Sequence, residues 1–219
     1  MDFSWAEPYP EVYTVCTLFG LHEISNPEKY SYTPLTAISQ YGPQCGLVAL
    51  AMVTNGTCNV SFIFELARTN NFTYHGEMFS ACDMVKLAQE ILSDQYTVKL
   101  YSGNLNDNHI KDFLLNGGLI LVPYDKDKDN SPGLLKGHNA HWAILSGGIA
   151  TKSDFYVLGR HGKAKNVAIW KLSNLAASNS QLVEFRPIYD GCEFKLPEGG
   201  IAGEFGLNAK AVLITKKNQ

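Results

Sequence analysis

Three residues of this 219-residue chain have the types and order that catalysis by a thiol nucleophile requires. Cys45 follows a Gly-Pro turn and begins an apolar run, Gln40 lies five residues upstream, and His141 comes about a hundred residues later. A thiol can attack a carbonyl, an amide N–H₂ can donate to the developing oxyanion, and an imidazole can carry the proton. The order therefore indicates hydrolysis through an acyl-enzyme.

Each of these residues also has an ordinary structural interpretation. A lone cysteine beside small apolar residues is commonly a core side chain, a glutamine is common in turns, and a histidine can simply begin a strand. His138, three residues before His141, is the weaker candidate for the base. A metal bound by both histidines would need further ligands, and no recognisable set lies nearby, so we predict no metal and no cofactor.

The elements that would position these residues follow from the apolar pattern. The run Leu47–Val53 is apolar on every side, which predicts a buried helix that begins near Cys45 and ends at Asn55-Gly56. At a helix start the unpaired N–H groups and the helix dipole should lower the pKa of the thiol. Further helices are predicted over about 60–69, from the Ser80 capping box to Leu92, and over about 107–116.

The second half of the chain has mainly strand patterns. Strands are predicted at 97–101, 119–125, 141–148, 155–159, 166–170, 181–185 and 210–215. Helices followed by an antiparallel-looking sheet indicate the α+β class, with His141 opening a strand. We expect one domain over 1–219, made of an N-terminal arm (1–33) without a clear period, a helical lobe with the nucleophile (34–117) and a sheet lobe with the histidine (118–219).

Composition and charge exclude several classes of protein. With 45% hydrophobic and 18% charged residues the chain can form a full core, and its net charge of −3 is not that of a nucleic-acid binder. No apolar stretch is long enough for a membrane helix. Five cysteines without a CxxC pair, and an N-terminal stretch with Asp2 and no basic region, predict reduced thiols and a cytoplasmic location.

Several strings, in order, resemble the actin maturation protease family: QYGPQCGLVAL, YHGEMFSACDMVKLAQEIL, LILVPYDKD, KGHNAHWAIL, GRHGK followed by AIW, and SNSQLVEF. The resemblance implies a papain-like cysteine peptidase fold, with a helical N-terminal half packed on a mainly antiparallel sheet. It implies a cysteine aminopeptidase that removes the N-acetylated N-terminal residue (Met or Cys) of actin, with an actin-binding protein as a further candidate partner. It maps the nucleophile onto Cys45, the histidine onto His141 and the glutamine onto Gln40.

One member of the papain-like arrangement is missing from the expected place. Such enzymes orient the histidine with an Asp or Asn on the next strand, and here that strand, FYVLG, offers neither. His161, just past it, and Asp125, at the end of the preceding strand, are alternative third groups, and the sequence does not choose between them.

The expected substrate suggests further binding residues. A neutral acetylated residue needs a closed apolar pocket, whose wall could come from the arm (Phe3, Trp5, Tyr9, Tyr13) or from HGEMF at 75–79. The acidic N-terminus of mature actin would suit a basic rim, for which we name Lys126, Lys128, Lys136, Arg160, Lys163 and Lys165. Ordinary solvated loop charge is the alternative for these six.

Two rival functions stay open at this point. The chain could be a papain-like hydrolase with a different acyl substrate, or a catalytically idle protein that binds actin or another partner through the same cleft.

Overall fold

The computed structural model describes residues 2–187 and 191–217. Within them, seven strands form one antiparallel sheet: β1 (Lys29–Tyr32), β2 (Tyr96–Ser102), β3 (Leu119–Asp125), β4 (Ala140–Ala150), β5 (Phe155–Arg160), β6 (Ala168–Lys171) and β7 (Lys210–Lys216). The strand order is β2-β7-β3-β4-β5-β6, and β1 pairs with the far end of β4. The long strand β4 is therefore the centre of the half that carries His141.

Helices cover both faces of this sheet. In the described ranges they are α1 (Pro10–Phe19), α2 (Cys45–Val53), α3 (Val60–Thr69), α4 (Ala81–Leu92), α5 (Asn108–Leu115) and α6 (Leu172–Ser180). Helices α2, α3 and α4 share one apolar core with Leu121 and Ile144, whereas α5 and α6 share another with Val122 and Leu145. Because both faces are covered, every residue of β3 is buried.

The α+β class and the antiparallel sheet are confirmed, and so are most of the predicted elements. Helix α2 begins at Cys45, and all of its other residues are buried, as an apolar run on every side requires. Helix α3 spans the predicted 60–69, with the Asn59 side chain accepting from the N–H of Phe62. The Ser80 hydroxyl caps α4 in the same way through the N–H of Asp83.

The first 33 residues contain more regular structure than their sequence indicates. They form α1 and β1, and Phe3 and Trp5 pack in a third apolar cluster with Ile149 and Leu158. Pro10 stands in the first turn of α1, where its missing N–H costs nothing. The segment is thus packed against the β4–β6 side of the sheet.

The predicted strand at 181–185 is wrong. Those residues have no regular structure, and the chain before them forms α6, which the sequence pattern did not predict. Strand β2, from the half predicted as helical, also joins the sheet next to β7. Of the helices in the described ranges, none is both long and apolar enough to cross a bilayer.

Candidate active site

A cleft of about 480 Å³ opens between the start of α2 and the start of β4. Cys45, His141 and Gln40 all line it, although they come from three separate parts of the chain. The segment 77–79 and residues 137–142 form further parts of its wall. The fold thus gathers the three residue types that thiol catalysis needs around one space large enough for a small ligand.

Cys45 is the first residue of α2 and is half-buried at the bottom of the cleft wall. Gly46 allows this helix to approach β4 closely, because a Cβ at that position would lie 2.5 Å from Cε of Met84 and 3.2 Å from Cδ1 of Trp142. The indole N–H of Trp142 donates to the carbonyl of Met78 at 2.8 Å and joins two walls of the cleft. Close packing therefore fixes the position of the thiol.

The electrostatics of Cys45 differ from the sequence-based expectation. Burial raises the pKa of the Cys45 thiol above its ordinary value, although backbone N–H groups of Trp142 and Gly46 and the charge of Lys163 act in the opposite direction. The predicted lowering by the helix start is thus outweighed by desolvation.

His141 is the second residue of β4 and is only 4% exposed. It pairs across the sheet with Tyr124, and the two rings meet edge to face with centroids 5.8 Å apart. Burial lowers the pKa of His141 to about 3, with smaller contributions from His161 and nearby lysines. Its Nε2 atom is buried with no hydrogen-bond partner in the described part of the chain.

Gln40 is held against the turn that follows β5. Its backbone N–H donates to the carbonyl of Gly162 at 2.8 Å, and a Cβ at Gly162 would lie only 2.5 Å from Cβ of Gln40. Its side-chain Nε2 donates to the carbonyl of Gly42 at 2.6 Å. One amide hydrogen therefore fixes the side chain, and the second has no acceptor among the described residues.

Asp125, one of the two candidates for the third group, has a structural role instead. It is fully buried, and its carboxylate accepts from the N–H groups of Leu135, Gly137 and Asn139 at 2.6–2.9 Å. The amide of Gln181 donates to it as well. Asp125 thus anchors the loop that leads into His141, and its oxygens are occupied by that loop.

His161, the other candidate, lies beside His141. The two ring centroids are 5.7 Å apart at 76°, and His161 stacks on Trp170 on another side at 6.0 Å and 17°. Burial, with a smaller contribution from Lys126, lowers the pKa of His161 to about 4. His161 is therefore the candidate whose ring the fold brings beside that of His141.

The six basic residues predicted for a rim separate into different environments. Lys126 and Lys163 line the cleft. Lys128 and Lys165 are exposed but lie outside its lining, and Lys136 pairs with Glu184 at 3.1 Å.

The prediction is wrong for Arg160. Its side chain is buried and forms an ion pair with Glu11 of α1, and it also donates to the carbonyl of Lys165 at 2.9 Å. The same glutamate accepts from the N–H of Val167 at 2.6 Å. The arginine therefore ties the N-terminal segment to the loop after β5, and its charge is not available to a substrate.

Other cleft residues were not found from the sequence. Arg186 lines the cleft and stands just after the segment wrongly predicted as a strand, where only its charge could have drawn attention. Glu77 also lines it, but its buried carboxylate accepts from the N–H groups of Tyr74, His75 and Lys195. That glutamate is part of the frame of the cleft.

Of the two segments considered for the apolar wall, HGEMF supplies residues of the cleft. Met78 and Phe79 line it, and both are more than nine-tenths buried. Phe3, Trp5 and Tyr9 of the N-terminal segment belong to the separate cluster under α1 and β1. Among the described residues, no three His, Cys, Asp or Glu side chains are grouped so that they could hold a metal ion.

Comparison with known proteins identifies the family. The family described as actin maturation protease-like, C-terminal domain, matches residues 35–149. The actin maturation protease of Drosophila melanogaster is 39% identical over 216 residues, which are 97% of this chain and 81% of that protein. The actin maturation protease of Danio rerio is 32% identical over 84% of this chain and 73% of its own length. This chain belongs to the actin maturation protease family.

Other relatives of the family are longer than the matched part. The human actin maturation protease is 31% identical over 84% of this chain, but the match covers 65% of the human protein. Among solved structures, a C39-like peptidase from Bacillus anthracis superposes with a TM-score of 0.53 at 11% identity, over 88% of this chain and all of that one. The family and the fold together support a hydrolase of the protease class.

Proposed function

We propose that this member of the actin maturation protease family is a cysteine aminopeptidase that removes the N-acetylated N-terminal residue, Met or Cys, of actin. The observation that carries the proposal is the meeting of Cys45, His141 and Gln40 in one cleft. The names of the relatives supply the candidate substrate, and the residues supply the chemistry.

Cys45 and His141 start as a neutral pair. The raised pKa of the thiol and the lowered pKa of His141 both favour a proton on sulfur at neutral pH. The imidazole therefore acts as a general base during attack instead of holding a preformed ion pair. Because Nε2 of His141 is buried, Nδ1 is the ring nitrogen available to the cleft.

Two N–H groups can stabilise the oxyanion. The backbone N–H of Cys45 lies in the first turn of α2, where a helix offers no internal acceptor. The second amide hydrogen of Gln40 is the other donor, since the first is used by Gly42. Donors of this kind are worth roughly 10²- to 10³-fold in kcat each.

The proposed reaction has two halves. In the first, Sγ of Cys45 attacks the carbonyl of the acetylated residue while its proton passes to His141. The C–N bond then breaks, the leaving amine takes that proton, and the shortened protein departs with a free amino terminus. In the second half, water gives a proton to His141 and attacks the thioester, which releases the N-acetylated amino acid and returns the proton to the thiol.

The walls of the cleft suit both sides of such a substrate. The buried side chains of Met78 and Phe79 offer an apolar surface for a neutral acetylated residue. The cations Lys126, Lys163 and Arg186 would attract the acidic residues that follow it in actin.

We place the enzyme in the cytoplasm. The proposal is supported by the five cysteines, which are all free thiols, as is usual for proteins in a reducing compartment. That an actin-binding protein presents the substrate stays a prediction. Cleavage of isolated actin would show that no such protein is needed.

Mass spectrometry of N-acetylated actin incubated with the wild type and with Cys45→Ala tests the proposal. The matched control is Cys192→Ala, which removes an exposed thiol that does not line the cleft. We expect loss of the acetylated residue with the wild type and the control, and none with Cys45→Ala. Equal cleavage by all three variants would refute the assignment.

A second panel separates the rival functions. Peptides with and without the acetyl cap, incubated with the wild type, should be cleaved only when capped. Cleavage of an unrelated acyl substrate in preference to actin would favour a different hydrolase, and failure of a thiol-directed probe to label Cys45 would favour an idle binding protein.

A further inference from the structure

We propose that His161 is a positioning residue that orients His141 through its ring surface and not through a hydrogen bond. The inference rests on the proposed function, in which His141 is the base. Both rings are buried, at 4% and 3% exposure, and they meet nearly perpendicular with centroids 5.7 Å apart. The Nε2 atom of His141 is buried with no hydrogen-bond partner in the residues described.

The tautomers of the two histidines exclude a hydrogen bond in the reactive form. Nδ1 of His161 accepts from the backbone N–H of Lys163 at 3.3 Å, so the neutral ring carries its proton on Nε2. His141 must keep Nδ1 free to take the thiol proton, which puts its own proton on Nε2. Two Nε2–H groups are both donors and cannot pair with each other.

The opposite assignment would disable the base. If Nε2 of His161 donated to Nε2 of His141, the proton of the neutral His141 would sit on Nδ1, the nitrogen that faces the cleft. A ring protonated there cannot accept the proton of Cys45. The reactive tautomer therefore requires a neighbour that does not donate to Nε2 of His141, and a ring that only packs against His141 meets this condition.

His161 is built to be such a neighbour. Its ring stacks on Trp170, and the carbonyl of the adjacent Gly162 accepts a hydrogen bond from the backbone N–H of Gln40. Both the ring and the backbone next to it are therefore held in place. The ring of Tyr124 makes a second perpendicular contact with His141, so two aromatic rings pack against the base.

Three substitutions at His161 separate packing from hydrogen bonding. His161→Phe keeps a flat ring without donors or acceptors, His161→Asn keeps hydrogen-bonding capacity without a ring, and His161→Ala removes both. We expect kcat of His161→Phe within about fivefold of the wild type and a fall of about 10²-fold for the other two, with KM little changed. A fall in kcat with an unchanged KM would show that the substitutions affect the orientation of the base and not the binding of substrate.

A second assay compares the same variants without actin. It measures the rate at which iodoacetamide alkylates Cys45, by peptide mass spectrometry. Exposed Cys192 is the reference thiol, and buried Cys16 reacts only when the fold opens, so it reports unfolding in each variant. The ratio of Cys45 to Cys192 labelling should follow the order wild type, Phe, then Asn and Ala. If actin is not the substrate, this order persists while actin stays uncut.

Three outcomes would overturn the inference. Activity retained by His161→Asn and lost by His161→Phe would mean that a hydrogen bond orients the base. Loss in all three variants, with Cys16 still protected, would mean that the imidazole itself is required. Wild-type behaviour in all three would leave His161 without a positioning role.

Discussion

A methyl group added at Gly162 should displace Gln40 and slow catalysis by about two orders of magnitude. The new Cβ would lie 2.5 Å from Cβ of Gln40, 3.0 Å from Cγ1 of Val48 and 3.2 Å from the backbone nitrogen of Gln40. Ordinary contacts begin at 3.4 Å, so one side must move by about 1 Å. Val48 lies in the buried helix α2, which leaves the segment of Gln40 as the part that moves.

The size of the effect follows from the oxyanion-binding role that we propose for Gln40. A displacement of about 1 Å in a catalytic group can cost roughly 10²-fold, and loss of one oxyanion donor costs roughly 10²- to 10³-fold. We therefore expect Gly162→Ala to lower kcat by about 10²-fold with a smaller change in KM. Overpacking of this kind also costs about 1–3 kcal/mol of folding free energy, which a lower Tm would report.

Kinetics on an acetylated actin N-terminal peptide measure this effect, and a double-mutant cycle identifies its route. In a Gln40→Ala background the amide is already absent, so adding Gly162→Ala should cost less than threefold more. Gly133→Ala is the matched control, since that glycine also has an ordinary φ and its nearest neighbour would be 3.3 Å away, on a loop outside the cleft lining. An equal loss in both backgrounds would show that the effect does not pass through Gln40.

Two further predictions concern charge. Burial lowers the pKa of His141 to about 3 and that of His161 to about 4, from an ordinary value of 6.5. Both histidines are therefore neutral in the folded chain at pH values where they are protonated in the unfolded chain. The unfolded chain thus binds more protons below pH 6.5, and the free energy of unfolding should fall by up to about 1.4 kcal/mol per pH unit for each histidine as the pH drops. Urea unfolding between about pH 6.5 and 5 checks this, and His161→Phe should halve the slope; an unchanged slope contradicts the assignment. Separately, Lys163→Ala with Arg186→Ala should lower kcat/KM for an acidic peptide about tenfold at low salt and flatten its salt dependence, whereas Lys165→Ala should not. The same loss on a neutral peptide would count against steering.

Local signals predicted the helices around Cys45 well. The cap at Ser80, the apolar run after Cys45 and the spacing in 60–69 act within a few residues, and the observed helices follow them. The position of His141 at the start of a buried strand was predictable for the same reason. These features need no knowledge of distant contacts.

Helix α6 was missed because distant partners stabilise it. Its sequence, LSNLAASNS, has little apolar periodicity. The hydroxyl of Ser178 bonds to the backbone of Asp125, and the amide of Asn179 donates to the carbonyls of Pro123 and Lys210. Serine and asparagine are common in turns and have low helix propensity. The local sequence therefore did not predict a helix before the strand expected at 181–185.

The charges were the least predictable part of the site. Arg160 was assigned to the rim from its place in a loop, yet its partner Glu11 is 149 residues away in the chain. The pKa of Cys45 was misjudged because helix position is visible in the sequence and burial is not. The choice between His161 and Asp125 likewise needed the register of the sheet.

The position of β7 has a consequence for how the protein is made. This strand comes last of the seven in chain order, yet it lies between β2 and β3, and its residues Val212 and Ile214 belong to the core under α2. β2 and β3 therefore cannot join one sheet until residues 210–216 have been synthesised. A nascent chain would already carry Cys45 and His141 but would lack the strand that completes the core behind them, so we expect proteolytic activity to appear only after β7 is in place.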